Sequence, residues 1–202
     1  YAIPVVIISS LTQHGSDLAL RALDLGAVEI VAKCEIRNTK EHLEESKIRI
    51  TDAIKAAYMV PVKRRGISSI SREYPKVKKL EPSQGRDIYK TTDKIIAIGA
   101  STAVTEALRF ILTNTPATSP GILITQHIPP GFTKSFADQL NTICEVTVKE
   151  ATNGERVMRG HAYIAPGGKH MELYRSGAKY FIKVQDGPLV NRHKPSVEVL
   201  FN

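Results

Sequence analysis

The sequence predicts an α/β protein built on parallel strands. Three observations carry that prediction. Short apolar runs alternate with amphipathic runs of helical spacing in two separate stretches. The strands of the second stretch are apolar throughout, as expected where both sheet faces are covered by helices. A basic, turn-rich segment separates the two alternations, so the chain reads as two units joined by a linker. At 202 residues and 42% hydrophobic content there is enough apolar material for such cores.

In the first unit, Val5 to Ser9 reads as a strand. Ser16 to Leu25 follows as a helix, with Leu18, Leu20, Ala22 and Leu25 near helical spacing and Gly26 at its stop. Val28 to Lys33 is the second strand, and a helix from about Lys40 to Ala57 sets Leu43, Ile48, Ile50 and Ile54 against many charges. Two parallel strands make a poor sheet alone, so the chain is expected to begin inside a domain. Residues 59–92 carry Lys63, Arg64, Arg65, Arg72, Lys76, Lys78 and Lys79 among Pro61, Gly66, Pro75, Pro82 and Gly85, a linker composition.

In the second unit, from Asp93, the run Ile95 to Thr102 reads as a buried strand ending in a small-residue turn, Val104 to Leu112 is a helix, Ile122 to Gln126 a strand and Phe132 to Ile143 a helix. After Cys144 the pattern shortens. Runs at Val146 to Lys149, Ala162 to Ile164, Met171 to Tyr174 and Tyr180 to Val184 are separated by Asn153-Gly154, Gly167-Gly168 and Ser176-Gly177, which read as hairpin turns. The expected architecture is a parallel core with an antiparallel excursion.

Composition excludes several classes. No apolar run approaches bilayer length and Tyr1-Ala2-Ile3-Pro4 has no signal-peptide character, so a cytoplasmic protein is expected. Cys34 and Cys144 are too isolated for a disulfide framework or zinc site, and no metal site is predicted. The net charge of +8 is concentrated in the linker without aromatic platforms, which argues against nucleic acid.

Candidate chemistry lies at two strand ends. Gly99-Ala100-Ser101-Thr102-Ala103 approximates the G-x-S-x-G elbow, which lifts a serine oxygen off a sheet at a helix N-terminus. His127 closes the next strand, and neighbouring parallel strands bring their carboxyl ends to one edge. A nucleophile and general base fit that placement. Taken singly, Ser101 also reads as a helix cap and His127 as a backbone-bonded strand-end histidine. Asp186, in Asp186-Gly187-Pro188, reads as a turn aspartate.

Two resemblances extend this reading. Pro4 to Thr12, Arg21 to Ala27 and Val31-Ala32-Lys33 resemble the C-terminal half of a response-regulator receiver, a flavodoxin-like domain. That resemblance implies that residues 1–58 are a partial receiver with Ser9 and Lys33 as its switch residues. It implies Mg2+ only for a complete receiver, and Cys34 stands where receivers usually have proline. Ala97 to Thr102, Ile124 to Thr133, Ala162 to Met171 and Val190 to Val197 resemble, in order and spacing, the chemotaxis protein-glutamate methylesterase (CheB) family.

The CheB resemblance implies a doubly wound parallel-sheet esterase domain over 93–202 that hydrolyses glutamate methyl esters of methyl-accepting chemoreceptors and deamidates receptor glutamines. It needs no cofactor, and a chemotaxis histidine kinase supplies the receiver's phosphate. The residues carried over are Ser101 as nucleophile, His127 as base, Thr102 at the oxyanion or elbow, and Arg192 and His193 at the substrate cleft. The family's orienting aspartate is expected in a glycine-rich segment beyond Asn202, and Ala103-Val104 replaces two family glycines. A non-hydrolysing docking relative is the alternative; a nucleotide-binding domain lacks a Walker lysine and a full G-x-G-x-x-G run.

Overall fold

The computed structural model describes residues 3–9, 13–33, 40–59, 94–101 and 105–202. The basic segment from residue 60 to 92, Cys34, Thr102, Ala103 and Val104 lie outside the described residues.

The first unit is β1 (Val6–Ser9), α1 (Gln13–Asp24), β2 (Glu29–Ala32) and α2 (Lys40–Met59), with β1 and β2 paired in parallel. Gly26 has φ +104, the left-handed conformation that ends α1 at no side-chain cost. Ala19, Leu20 and Leu23 form the buried stripe of α1 and Val31 is buried in β2. Helix α2 runs slightly past its predicted end, and its last two residues, Tyr58 and Met59, are exposed.

The second unit comprises β3 (Ile95–Ala100), α3 (Thr105–Thr113), β4 (Gly121–Gln126), α4 (Thr133–Ile143), β5 (Thr147–Glu150), β6 (His161–Ile164), β7 (His170–Ser176), β8 (Lys179–Gln185) and the short α5 (Val197–Phe201). Strands β3, β4, β6 and β5 form one all-parallel sheet in that order, with Ala100 opposite Gln126 at the carboxyl end. Strands β7 and β8 form a separate antiparallel hairpin.

Two of the three predicted hairpins are corrected. Asn153-Gly154 and Gly167-Gly168 turn the chain without joining antiparallel neighbours, because β5 and β6 are parallel and β6 enters the main sheet between β4 and β5. The physical reason lies in β6, where Ala162, Tyr163 and Ile164 are all fully buried. A strand apolar on both faces belongs in the middle of a covered sheet rather than in a half-solvated hairpin. Only Ser176-Gly177 closes a hairpin, with Gly177 at φ +61.

Side-chain alternation divides the core in two. Ile122, Ile124, Ala162 and Ile164 face a cluster with Leu108 and Leu112 of α3 and Phe136 and Leu140 of α4. The same cluster contains Leu20, Leu23 and Ile30, so the first unit shares the second unit's core. Leu123 and Tyr163 face the opposite side, where they meet Met171, Ile182 and Leu200. The doubly wound expectation is adjusted accordingly: among the described residues, this second face is covered by the β7–β8 hairpin and the short helix α5.

Candidate active site

Ser101 and His127 come from adjacent strands for a simple reason. Strands β3 and β4 pair in register and end together, so the residue following each strand lies at the same sheet edge. Ala100 is buried and Ser101, the residue after the strand, is exposed at its carboxyl end. Gly99 has a packing role. A Cβ there would come within 2.3 Å of Val197 and 3.3 Å of Phe201, so its absence lets α5 lie against β3.

His127 leaves β4 in a tight turn in which the Ile128 N–H donates to the Gln126 carbonyl at 2.8 Å. Pro129, Pro130 and Gly131, with φ +82, then lead into α4, and Phe132 is completely buried behind them. A Cβ on Gly167 would lie 2.5–2.7 Å from the backbone of Pro129 and Pro130, so this glycine is required by close backbone approach. The Gly167 N–H also donates to Thr133 Oγ1. The β6–β7 loop thus braces the segment following the histidine.

The Ser101 Oγ lies 3.5 Å from Nδ1 of His127. Serine–histidine contacts in catalytic pairs are often this long before substrate binds. For Nδ1 to accept the serine proton, the ring hydrogen must sit on Nε2, which is buried and without a hydrogen-bond partner among the described residues. Burial first, then the neighbouring His193 and Arg49, push the His127 pKa down to about 4, so the imidazole is neutral near pH 7. An unprotonated imidazole beside a serine hydroxyl can remove a proton from it and return one to a leaving group.

His193 is stacked on His127, with ring centroids 3.7 Å apart and planes 7° from parallel. Its own pKa is lowered, chiefly by burial, with Asp52 opposing and Arg49 and Arg192 assisting. His193 closes a turn with Val190 through two backbone hydrogen bonds. The central residues Asn191 and Arg192 have φ of 50° and 69°. Arg192 is exposed at the tip of this turn. Just beyond it, Lys194 Nζ binds the Asp186 carboxylate at 2.8 Å and the Gly187 carbonyl at 3.0 Å. Asp186 is therefore held as a turn residue, and Lys194 lowers its pKa.

His170 has a role the sequence did not reveal. Buried at the start of β7, it accepts the Ser196 N–H on Nδ1 and donates from Nε2 to the Pro188 carbonyl, holding both ends of the segment that carries His193. Its place in Gly167-Gly168-Lys169-His170 was the available signal, but the partners lie 18 and 26 residues away.

The first unit reaches the same edge. A small cavity of about 40 Å³ is lined by Glu29 of β2, Arg49 and Asp52 of α2, and by His127, His193 and Lys194. Of the switch residues read from sequence, Ser9 ends β1 and Lys33 directly follows β2, with the Lys33 N–H donating to the Ser9 carbonyl at 2.7 Å. Thr102 lies outside the described residues. Among those described, no cluster of three His, Cys, Asp or Glu residues could hold a metal ion, and no helix is long and apolar enough to cross a membrane.

The chain is 48% identical over 204 residues to a Geobacter metallireducens protein named protein-glutamate methylesterase/protein-glutamine glutaminase 3, covering 100% of the chain and 57% of that protein. Proteins named protein-glutamate methylesterase/protein-glutamine glutaminase from Pectobacterium atrosepticum and Salmonella typhimurium are 50% and 48% identical, each covering 98% of the chain and 54% of the relative. The chain thus spans about half the length of these curated relatives. The crystal structure of the Thermotoga maritima CheB methylesterase catalytic domain superposes with a TM-score of 0.51 at 42% identity, covering 53% of this chain and 57% of that one. Residues 96–202, more than half of the chain, match the family described as CheB methylesterase, to which this chain therefore belongs.

Proposed function

We propose that this chain carries the reaction centre of a protein-glutamate methylesterase and glutamine deamidase acting on methyl-accepting chemoreceptors. The single observation supporting this most strongly is the 3.5 Å approach of Ser101 Oγ to a partly buried, neutral His127 inside the region that matches the methylesterase family.

In this reading His127 Nδ1 takes the serine proton as Oγ attacks the carbonyl carbon of a glutamate methyl ester. In this assignment the resulting tetrahedral oxyanion is met at the elbow, to which Thr102 is assigned at the oxyanion or the turn itself, with backbone N–H groups of the helix start as donors. Collapse breaks the C–O bond to methanol, which leaves with the proton held by His127. Water then attacks the acyl-serine, again with His127 as base, and frees the glutamate carboxylate. The same steps on a glutamine release ammonia. In this assignment the buried Nε2–H of His127, without a partner among the described residues, is the group the family's orienting aspartate would accept. Arg192 and His193 border the substrate cleft in this assignment.

Residues 1–58 are read as part of a receiver with Ser9 and Lys33 as its switch residues, joined by the linker 59–92 and phosphorylated from a chemotaxis histidine kinase. The presence of Arg49 and Asp52 beside His127 and His193 supports control of the site from that unit. Regulation then requires a shift between arrangements that differ in those contacts.

The test is methanol release from methylated receptor by the full-length gene product and its Ser101→Ala variant. Loss of at least about a thousandfold in kcat is expected for removal of a nucleophile. Equal release by the two proteins would remove Ser101 from the mechanism.

A further inference from the structure

We propose that His193 is a positioning residue for the base: its ring, stacked flat on His127, fixes the orientation of that imidazole toward Ser101. This rests on the esterase reading above and goes beyond a place in the substrate cleft.

The geometry supplies the argument. A histidine at a strand end is free to rotate about its ring torsion unless neighbours prevent it, and that torsion is intrinsically broad. Among the described residues, the only hydrogen-bonding contact recorded for the His127 ring is the 3.5 Å approach to Ser101. A second ring at 3.7 Å and 7° allows sliding but forbids tilting. The same stack shields one face of His127 from water, which disfavours its protonated form.

The segment carrying His193 is built at a cost. Two consecutive residues, Asn191 and Arg192, adopt positive φ, and for arginine the left-handed region is strained. The turn is closed by reciprocal Val190 and His193 backbone bonds, and the segment is pinned by Lys194 to Asp186 and by His170 to Pro188 and Ser196. Such over-determination of a strained turn is expected where a side chain must be aimed.

The charged and titratable groups around the ring pair come from three elements. They are Glu29 of β2, Arg49 and Asp52 of α2, and Arg192 and Lys194 of the turn itself. Cationic neighbours disfavour protonation of both rings, while Asp52 favours it on His193. The stack is therefore the contact that fixes ring geometry, and the surrounding charges only bias its protonation.

The experiment compares His193→Ala, His193→Phe and His193→Gln in the full-length gene product, reading methanol release against pH and the His127 titration by histidine-selective NMR. The expectation for alanine is a fall in kcat of about ten- to a hundredfold with KM nearly unchanged. The His127 midpoint should also rise from about 4 toward 6.5. Phenylalanine, which keeps a flat ring, should restore most of kcat; glutamine, which fills space without one, should not. Wild-type kcat and titration in the alanine variant, or equal behaviour of Phe and Gln, overturns the proposal. If alanine does not fold, the Phe and Gln pair decides alone. Should Ser101→Ala leave methanol release intact, the esterase assignment fails, while the NMR titration still reports whether His193 holds the His127 ring.

Discussion

Strands β3 and β4 are both six residues long, both apolar and paired along their whole length, yet the structure treats them differently. Every residue of β4 is buried, whereas Ile96, Ala97 and Gly99 of β3 are exposed. The difference follows from sheet order, since β4 lies between β3 and β6 and β3 has only one neighbour among the described strands. In the proposed mechanism it also separates two chemical roles. The accessible serine follows the strand at the edge, and the histidine whose pKa must be lowered follows the strand in the core. Solvent access for one group and desolvation for the other are obtained from a single strand pair.

Core substitutions give the largest test of this contrast. Leu123 is completely buried in β4 and packs into the cluster containing Tyr163 and Met171, so Leu123→Ala should cost about 2–5 kcal/mol. Ile96 in β3 is 39% exposed, and Ile96→Ala should cost less than about 1 kcal/mol. Urea unfolding of both variants measures the gap directly. Comparable losses would mean that the outer face of β3 is covered in solution.

This contrast also marks how far the sequence could be read. The apolar runs located the start of β3 and both ends of β4 to within a residue, and their order placed Ser101 and His127 at one edge, because strand existence and parallel pairing follow from local pattern and chain connectivity. Edge against centre could not be read, since Ile95-Ile96-Ala97-Ile98 is as hydrophobic as Ile122-Leu123-Ile124. The parallel pairing of β5 with β6 was also hidden, because Asn153-Gly154 has the same local signature whether it closes a hairpin or lies within a crossover. The His127–His193 stack joins residues 66 positions apart through a strained turn and a clamp from His170. No periodic signal encodes such a contact. Helix α5, only five residues long, is too short to show one.

Next in size is the brace behind the proposed base, His127. Gly167→Ala would drive a methyl group into the backbone of Pro129 and Pro130 and should destabilise by about 1–3 kcal/mol. The equivalent change at Gly154 meets no atom within 4 Å, but its φ of +78 makes alanine conformationally strained. Comparing the two by thermal unfolding separates overpacking from backbone strain. Only Gly167→Ala is expected to disturb the His127 resonances as well.

A smaller effect comes from desolvating the base. The unfolded chain protonates His127 near 6.5, and the folded chain does so only near 4. Between these values the unfolded state binds more protons, so this residue makes stability fall as pH drops from 7 toward 4. After allowance for the ring's partial exposure, the effect should be about 1–2 kcal/mol. Urea midpoints at pH 7 and 5 for the wild type and His127→Gln test it, and the variant should lose less stability across that interval. A steeper loss in the variant would mean that the fold does not hold His127 neutral.

The smallest effect probes how the first unit bears on the base. Arg49 lies on α2, in a different unit from His127, and acts on it only through charge, behind burial and behind His193 in importance. Arg49→Gln should therefore raise the His127 midpoint by less than His193→Ala does, and should leave the stack with His193 in place. Histidine NMR titration of the two variants side by side orders the contributions. A larger shift from Arg49→Gln than from His193→Ala would reverse that order and make the electrostatic field of α2, rather than the edge-and-core division of β3 and β4, the main control on the base.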